Sequence, residues 1–127
     1  MRTITLFTLS LSMLTACPGE ASFDEVRDDI LLPSCGLSGS CHEGGAGELD
    51  FGDPAIVYDQ LVDVESEDKP GAIRVIPGDP DNSYLIHKVE EHPDIVGDAM
   101  PPGFSLSNSA PEKVQILRDW IEAGALP

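Results

Sequence analysis

The chain has 127 residues, 41% hydrophobic and 24% charged, which suits one small domain and leaves no room for a second core. Seven Lys and Arg stand against 23 Asp and Glu, a formal charge of -16, and a field of that sign repels phosphate backbones and anionic headgroups. Multidomain enzymes are excluded and nucleic acid is a poor partner, while twelve glycines and eleven prolines predict a compact, loop-rich domain.

Residues 1–16 read as an export signal rather than structure. Arg2 is followed by an apolar and hydroxyl run from Ile4 to Leu14 and then Leu14-Thr15-Ala16-Cys17, the positive head, short apolar core and small residues of a cleaved leader. The run is too short to span a bilayer. Leu-Thr-Ala-Cys resembles the lipobox of bacterial lipoproteins, which implies lipidation of Cys17 and cleavage before it. Cleavage leaves 111 residues and removes Arg2, making the mature chain one unit more acidic. Acyl chains on Cys17 would anchor it, at about 0.8 kcal/mol per buried methylene. Pro18 and Gly19, with no Asp directly after the cysteine, favour the outer membrane. The alternative is a soluble protein cut nearby, with Cys17 a spare thiol.

After a tether over residues 17–22, the domain covers residues 23–127. Ser22 and Glu25 form a capping box ahead of Phe23, Val26 and Ile30, which predicts a helix over 23–32, stopped by Pro33. Residues 34–52 hold six glycines and two cysteines and read as loop with room for one helical turn near Cys41. Asp53 and Pro54 open a second helix over 54–62. The cluster Ile76-Pro77-Gly78-Asp79-Pro80-Asp81 is a turn that delivers Asp81 or Asn82 as N-cap to a third helix through Tyr84, Leu85, Val89 and Glu90. Residues 97–103 are loop. Ser109 and Glu112 box the last helix, carrying Val114, Leu117, Trp120 and Ile121, and Gly124 stands where a C-cap belongs. The expected fold class is mainly α, about four short helices joined by long loops, with no alternating strand pattern and no repeat. Long loops in a small domain are commonly functional, and a large apolar cofactor would organise them.

With Cys17 assigned to lipid, Cys35 and Cys41 remain as an even pair in an exported chain, where thiols tend to be covalently used. Cys41-His42 is the second half of a haem attachment site, in which two thiols add to vinyl groups and the following histidine ligates iron. The usual spacing is two residues between the cysteines, and here there are five. Cysteines six positions apart lie about 600° round a helix at ~100° per residue, so the segment between them must loop out, which Gly36 and Gly39 permit. The alternative is a Cys35 to Cys41 disulfide closing a small loop, worth about 2 kcal/mol, and spacing by itself favours it. Met100, in Ala99-Met100-Pro101-Pro102, is the only methionine after the leader and a candidate thioether ligand; a loop methionine otherwise fills core or lies exposed. A tetrahedral zinc site from Cys35, Cys41, His42 and one of His87 or His92 is a further option, although both of those histidines read as solvated or helix-terminal. The acidic groups read as solvated surface, and no nucleophile motif, phosphate loop or placed carboxylate pair points to an enzyme.

The order of these blocks resembles the class I cytochrome c-like domains of exported bacterial proteins. It covers residues 23–125: the first helix, Pro33-Ser34-Cys35 to Cys41-His42, Val75-Ile76-Pro77-Gly78-Asp79-Pro80-Asp81-Asn82-Ser83-Tyr84-Leu85, Met100-Pro101-Pro102, and Ile116-Leu117-Arg118-Asp119-Trp120-Ile121-Glu122-Ala123-Gly124-Ala125. The resemblance implies covalent haem c on Cys35 and Cys41, iron held by His42 and Met100, first and last helices packed together, and one-electron transfer with a redox partner protein. The departure is the longer cysteine spacing. A domain of the same fold without haem, stabilised by a disulfide and serving as a binding or structural lipoprotein, is the competing expectation. The acidic surface suits a basic docking partner whose approach weakens with salt.

Overall fold

The structure is a computed structural model that describes residues 21–36, 41–42 and 48–127. Among the described residues it is mainly helical, and its only β pairing is two isolated bridges, Val62 to Val75 and Glu65 to Ile73. The export signal and Cys17 lie outside the described residues. No described helix is long and apolar enough to cross a membrane.

Helix α1 begins as an α-helical turn, Phe23–Glu25, and continues as a π-helix, Val26–Gly36. Its start matches the expected cap, because Ser22 Oγ accepts from the Glu25 amide at 3.2 Å. Its end does not: Pro33 fails to stop it at Leu32, and the helix runs on through Cys35 to Gly36. The wider π winding holds more residues per turn, which keeps the proline ring clear of the carbonyl it would strike in an α-helix. This extension places Cys35 on a buried helix end rather than in a loop.

Helix α2 spans Val57–Leu61, shorter than the expected 54–62. Asp53 still caps, but it caps a turn: its Oδ1 accepts from the Ala55 amide at 2.9 Å, and its carbonyl from Ile56 and Val57. Ile76-Pro77-Gly78-Asp79 is a type II turn in hydrogen bonding and residue choice, with the Asp79 amide donating to the Ile76 carbonyl and Gly78 at φ +79. A short 3-10 turn, Pro80–Asn82, is capped by Asp79, and α3, Tyr84–Glu90, follows Ser83. The N-cap position of α3 therefore falls on Ser83 rather than on Asp81 or Asn82, which belong to the 3-10 turn that Asp79 caps. Ser83 is fully buried, and its hydroxyl accepts from the Ile76 amide and donates to the Asp79 carbonyl.

Helix α4, Leu106–Ser109, was not expected, and α5 spans Pro111–Glu122. The expected capping box at Ser109 is absent because Ser109 belongs to α4, where its hydroxyl turns back onto the Ser105 carbonyl at 3.1 Å. Ala110 occupies the N-cap position, with Pro111 just inside the helix. The C-terminus is as expected. Gly124 (φ +107) donates to Ile121 and Ala125 donates to Trp120, the paired bonds of a Schellman end.

The core joins α1 to α5, as the resemblance implied. Val26, Ile30 and Leu31 pack with Val57, Leu61, Ile86, Leu117, Trp120 and Ile121 in one buried cluster. Phe23 lies 5.4 Å from Trp120 and meets Tyr58 edge-on at 5.0 Å, ring centre to ring centre, arrangements that add to simple burial. Arg118 grips both carboxylate oxygens of Glu90 and one of Asp81, each at 2.7 Å, tying α5 to α3 and the 3-10 turn. A bidentate fork of this kind fixes geometry as well as charge.

Candidate functional site

The π-helical end of α1, the return at His42, α2, α3 and the Met100 loop enclose one cleft of about 590 Å³, counting the space at its open mouth. Cys35, His42 and Met100 all line it, between apolar walls that include Phe51, Leu61 and Val89. Three of the expected site residues, from three separate segments, are thus brought together.

Each is held by backbone hydrogen bonds. The His42 amide donates to the Cys35 carbonyl at 3.0 Å, and the His42 carbonyl accepts from Phe51 at 2.8 Å. The His42 ring meets Phe51 at 5.2 Å, inclined by 63°. Met100 is braced at both backbone groups, its amide donating to Lys88 of α3 at 2.8 Å and its carbonyl accepting from Leu106 of α4 at 3.2 Å. Prolines on the C-terminal side limit the loop further.

Cys35 is only 8% exposed. Burial, reinforced by the neighbouring Cys41, pushes its thiol up to about 11. It is protonated at neutral pH and a weak nucleophile. Cys41 is half-buried and lines a second cleft, with Pro101, Pro102 and Leu106. The structure therefore brings Cys35, His42 and Met100 to one cavity and turns Cys41 to another.

Two cations also reach the first cleft. Arg74, 7% exposed, donates to the Gln60 carbonyl at 2.8 Å. Lys88 donates to the Val96 carbonyl at 2.8 Å, and burial lowers the pKa of its ammonium. Neither was singled out from the sequence; Lys88 follows His87 on α3, and Arg74 precedes Val75 in the turn block, with no motif to mark them.

The zinc grouping considered above is not assembled. Among the described residues, the histidines, cysteines and carboxylates close enough to share an ion are His87, His92 and Asp94, whereas Cys35 and His42 face the cleft. His87 is half-buried rather than solvated. Asp94 escaped the sequence reading, although His87-x4-His92-x-Asp94 is a visible spacing.

An imidazole and a thioether on apolar walls are a donor set suited to haem iron, and the residues present fit that group, with Cys41 the poorly placed member. No protein-family model matches the chain, and neither a curated protein nor a solved structure matches it.

Proposed function

We propose that this chain is a c-type haem-binding electron-transfer lipoprotein of the bacterial envelope, its domain cytochrome c-like and anchored through Cys17. The observation that carries the reading is the meeting of Cys35, His42 and Met100 in one apolar cleft. His42 and Met100 would hold the iron, while Cys35 and Cys41 would offer thioether links. When bound, haem c supplies a one-electron couple and performs no bond chemistry on a substrate. The residues' work is positional: Phe51 packs against the imidazole, Lys88 and Leu106 hold the Met100 backbone, and Leu61 and Val89 line the apolar wall that would exclude water. Arg74 and Lys88 offer positive charge against the carboxylates such a cofactor carries. The acidic surface would steer a basic redox partner, more strongly at low salt.

A second reading, a haem-free lipoprotein stabilised by a Cys35 to Cys41 disulfide, is favoured by one observation. The His42 amide returns to the Cys35 carbonyl, and Cys41 lies close enough to raise the Cys35 pKa. Met100→Ala separates the two. In the haem reading it opens the sixth iron position, abolishes the thioether absorption of the ferric protein at the red edge and lowers the reduction potential. An unchanged haem spectrum, or none in either protein, removes Met100 from the ligand set.

A further inference from the structure

The end of α3 builds a polar cluster on the far side of that helix from the cleft. Glu91 closes α3 in the left-handed conformation (φ 59), and the His92 amide donates back to the His87 carbonyl at 3.0 Å. This reversal lays the His92 ring over the His87 ring, with centres 4.4 Å apart and planes inclined by 21°. Both Nδ1 atoms face Asp94 Oδ1: that of His87 lies 3.2 Å away, and that of His92 is in direct contact. Lys69 donates to Asp94 Oδ2 at 2.6 Å and to the Asp94 carbonyl at 2.9 Å, which holds the carboxylate with Oδ1 toward the histidines.

The protons on His87 are dictated by its surroundings. Its Nε2 lies 2.7 Å from the Asp81 carbonyl oxygen, which can only accept, so Nε2 carries the hydrogen. Neutral His87 then presents Nδ1 as a bare lone pair. That atom is fully buried and has no hydrogen-bond partner, and it faces an oxygen of the Asp94 carboxylate 3.2 Å away. Two acceptors facing one another repel unless a cation joins them. Protonating both stacked rings would put two positive charges about 4 to 5 Å apart, an unfavourable Coulomb contact.

We infer that His87, His92 and Asp94 form a binding site for a single borderline divalent metal ion, of the Zn2+ or Cu2+ type. Imidazole and carboxylate donors suit these ions. A ligating histidine characteristically donates its other ring N–H to a backbone carbonyl, which is what Asp81 provides to His87. The three donor atoms lie within 4.8 Å of one another, and ligands at 2.0–2.1 Å round a tetrahedral ion stand roughly 3.3 Å apart. Rotation of the exposed His92 and Asp94 side chains closes that gap while His87 stays fixed, leaving at least one position for water. The acidic surface concentrates cations near it. The site shares no ligand with the haem cleft and stands or falls independently of the proposed function.

Zinc chloride titrated into the purified protein, followed by calorimetry and by imidazole 15N spectra, tests this. The expected result is one ion per chain, with the Nδ1 signals of His87 and His92 moving together. His92→Ala and Asp94→Asn each weaken binding roughly ten- to hundred-fold. Because His92 is exposed, its alanine variant keeps the fold. The inference is overturned if zinc binds the variants as tightly as the parent chain, or if the two Nδ1 signals do not respond.

Discussion

The two faces of α3 carry two different kinds of donor. One face borders an apolar cleft with a nitrogen and a sulfur donor, His42 and Met100, whose rigidity comes from backbone hydrogen bonds to neighbouring elements. The other carries two imidazoles and a carboxylate, His87 half-buried and His92 and Asp94 exposed, ordered by Lys69 and the Asp81 carbonyl. An imidazole and a thioether beside apolar walls suit a redox centre whose charge change must be tuned by burial, whereas imidazoles with a carboxylate suit an ion that keeps its charge. The same seven-residue helix serves both because successive residues point about 100° apart, so Val89 faces the cleft while His87 faces away.

The largest expected effect breaks both regions together. Trp120 is fully buried against Phe23 and donates its indole N–H to the Leu126 carbonyl. Trp120→Ala should cost about 3–5 kcal/mol in chemical denaturation, a large part of the ~5–15 kcal/mol typical of a domain, and the cleft and the cluster of His87, His92 and Asp94 should be lost in one transition. A cost below about 1 kcal/mol would mean that α1 and α5 do not form the common frame.

A smaller effect touches only the charged face. Lys69 and His92 hold the Asp94 carboxyl down at about 2, below its ordinary 3.8. A carboxyl whose pKa is lower folded than unfolded contributes stability above its unfolded value and loses it as pH falls through the folded one. The Asp94 contribution should therefore be constant above about pH 4 and disappear between about 4 and about 2. A carbon-detected titration reading Asp94 directly checks this, and an ordinary midpoint near 3.8 would show that the Lys69 and His92 contacts do not hold in solution.

Local rules made much of the frame legible. The spacing of Val114, Leu117 and Ile121 and the glycine at 124 define α5 without tertiary information, and Ser22 marks the start of α1. What escaped depended on the path of the chain in space. Pro33 ends a helix by local sterics, yet the π winding carries α1 past it to Cys35. Ser109 can cap α5, but α4 takes its hydroxyl first. At the site, the chemical types of His42 and Met100 are visible in the sequence. The division of Cys35 and Cys41 between two clefts is not, because it depends on tertiary contacts such as the bond from the His42 amide to the Cys35 carbonyl. The spacing of His87, His92 and Asp94 is visible, but their meeting requires the left-handed turn at Glu91, and nothing in a glutamate marks it for that conformation.

The cysteine chemistry decides the central claim. Protein made with a cytochrome c maturation system should be red, and extraction with acid acetone should leave the haem on the chain. Cys41→Ser should remove most of it, and Cys35→Ser should turn two thioethers into one. A folded, colourless protein from that host, whose Cys35 and Cys41 react with a thiol reagent only after reduction, would contradict the haem account and establish the disulfide in its place.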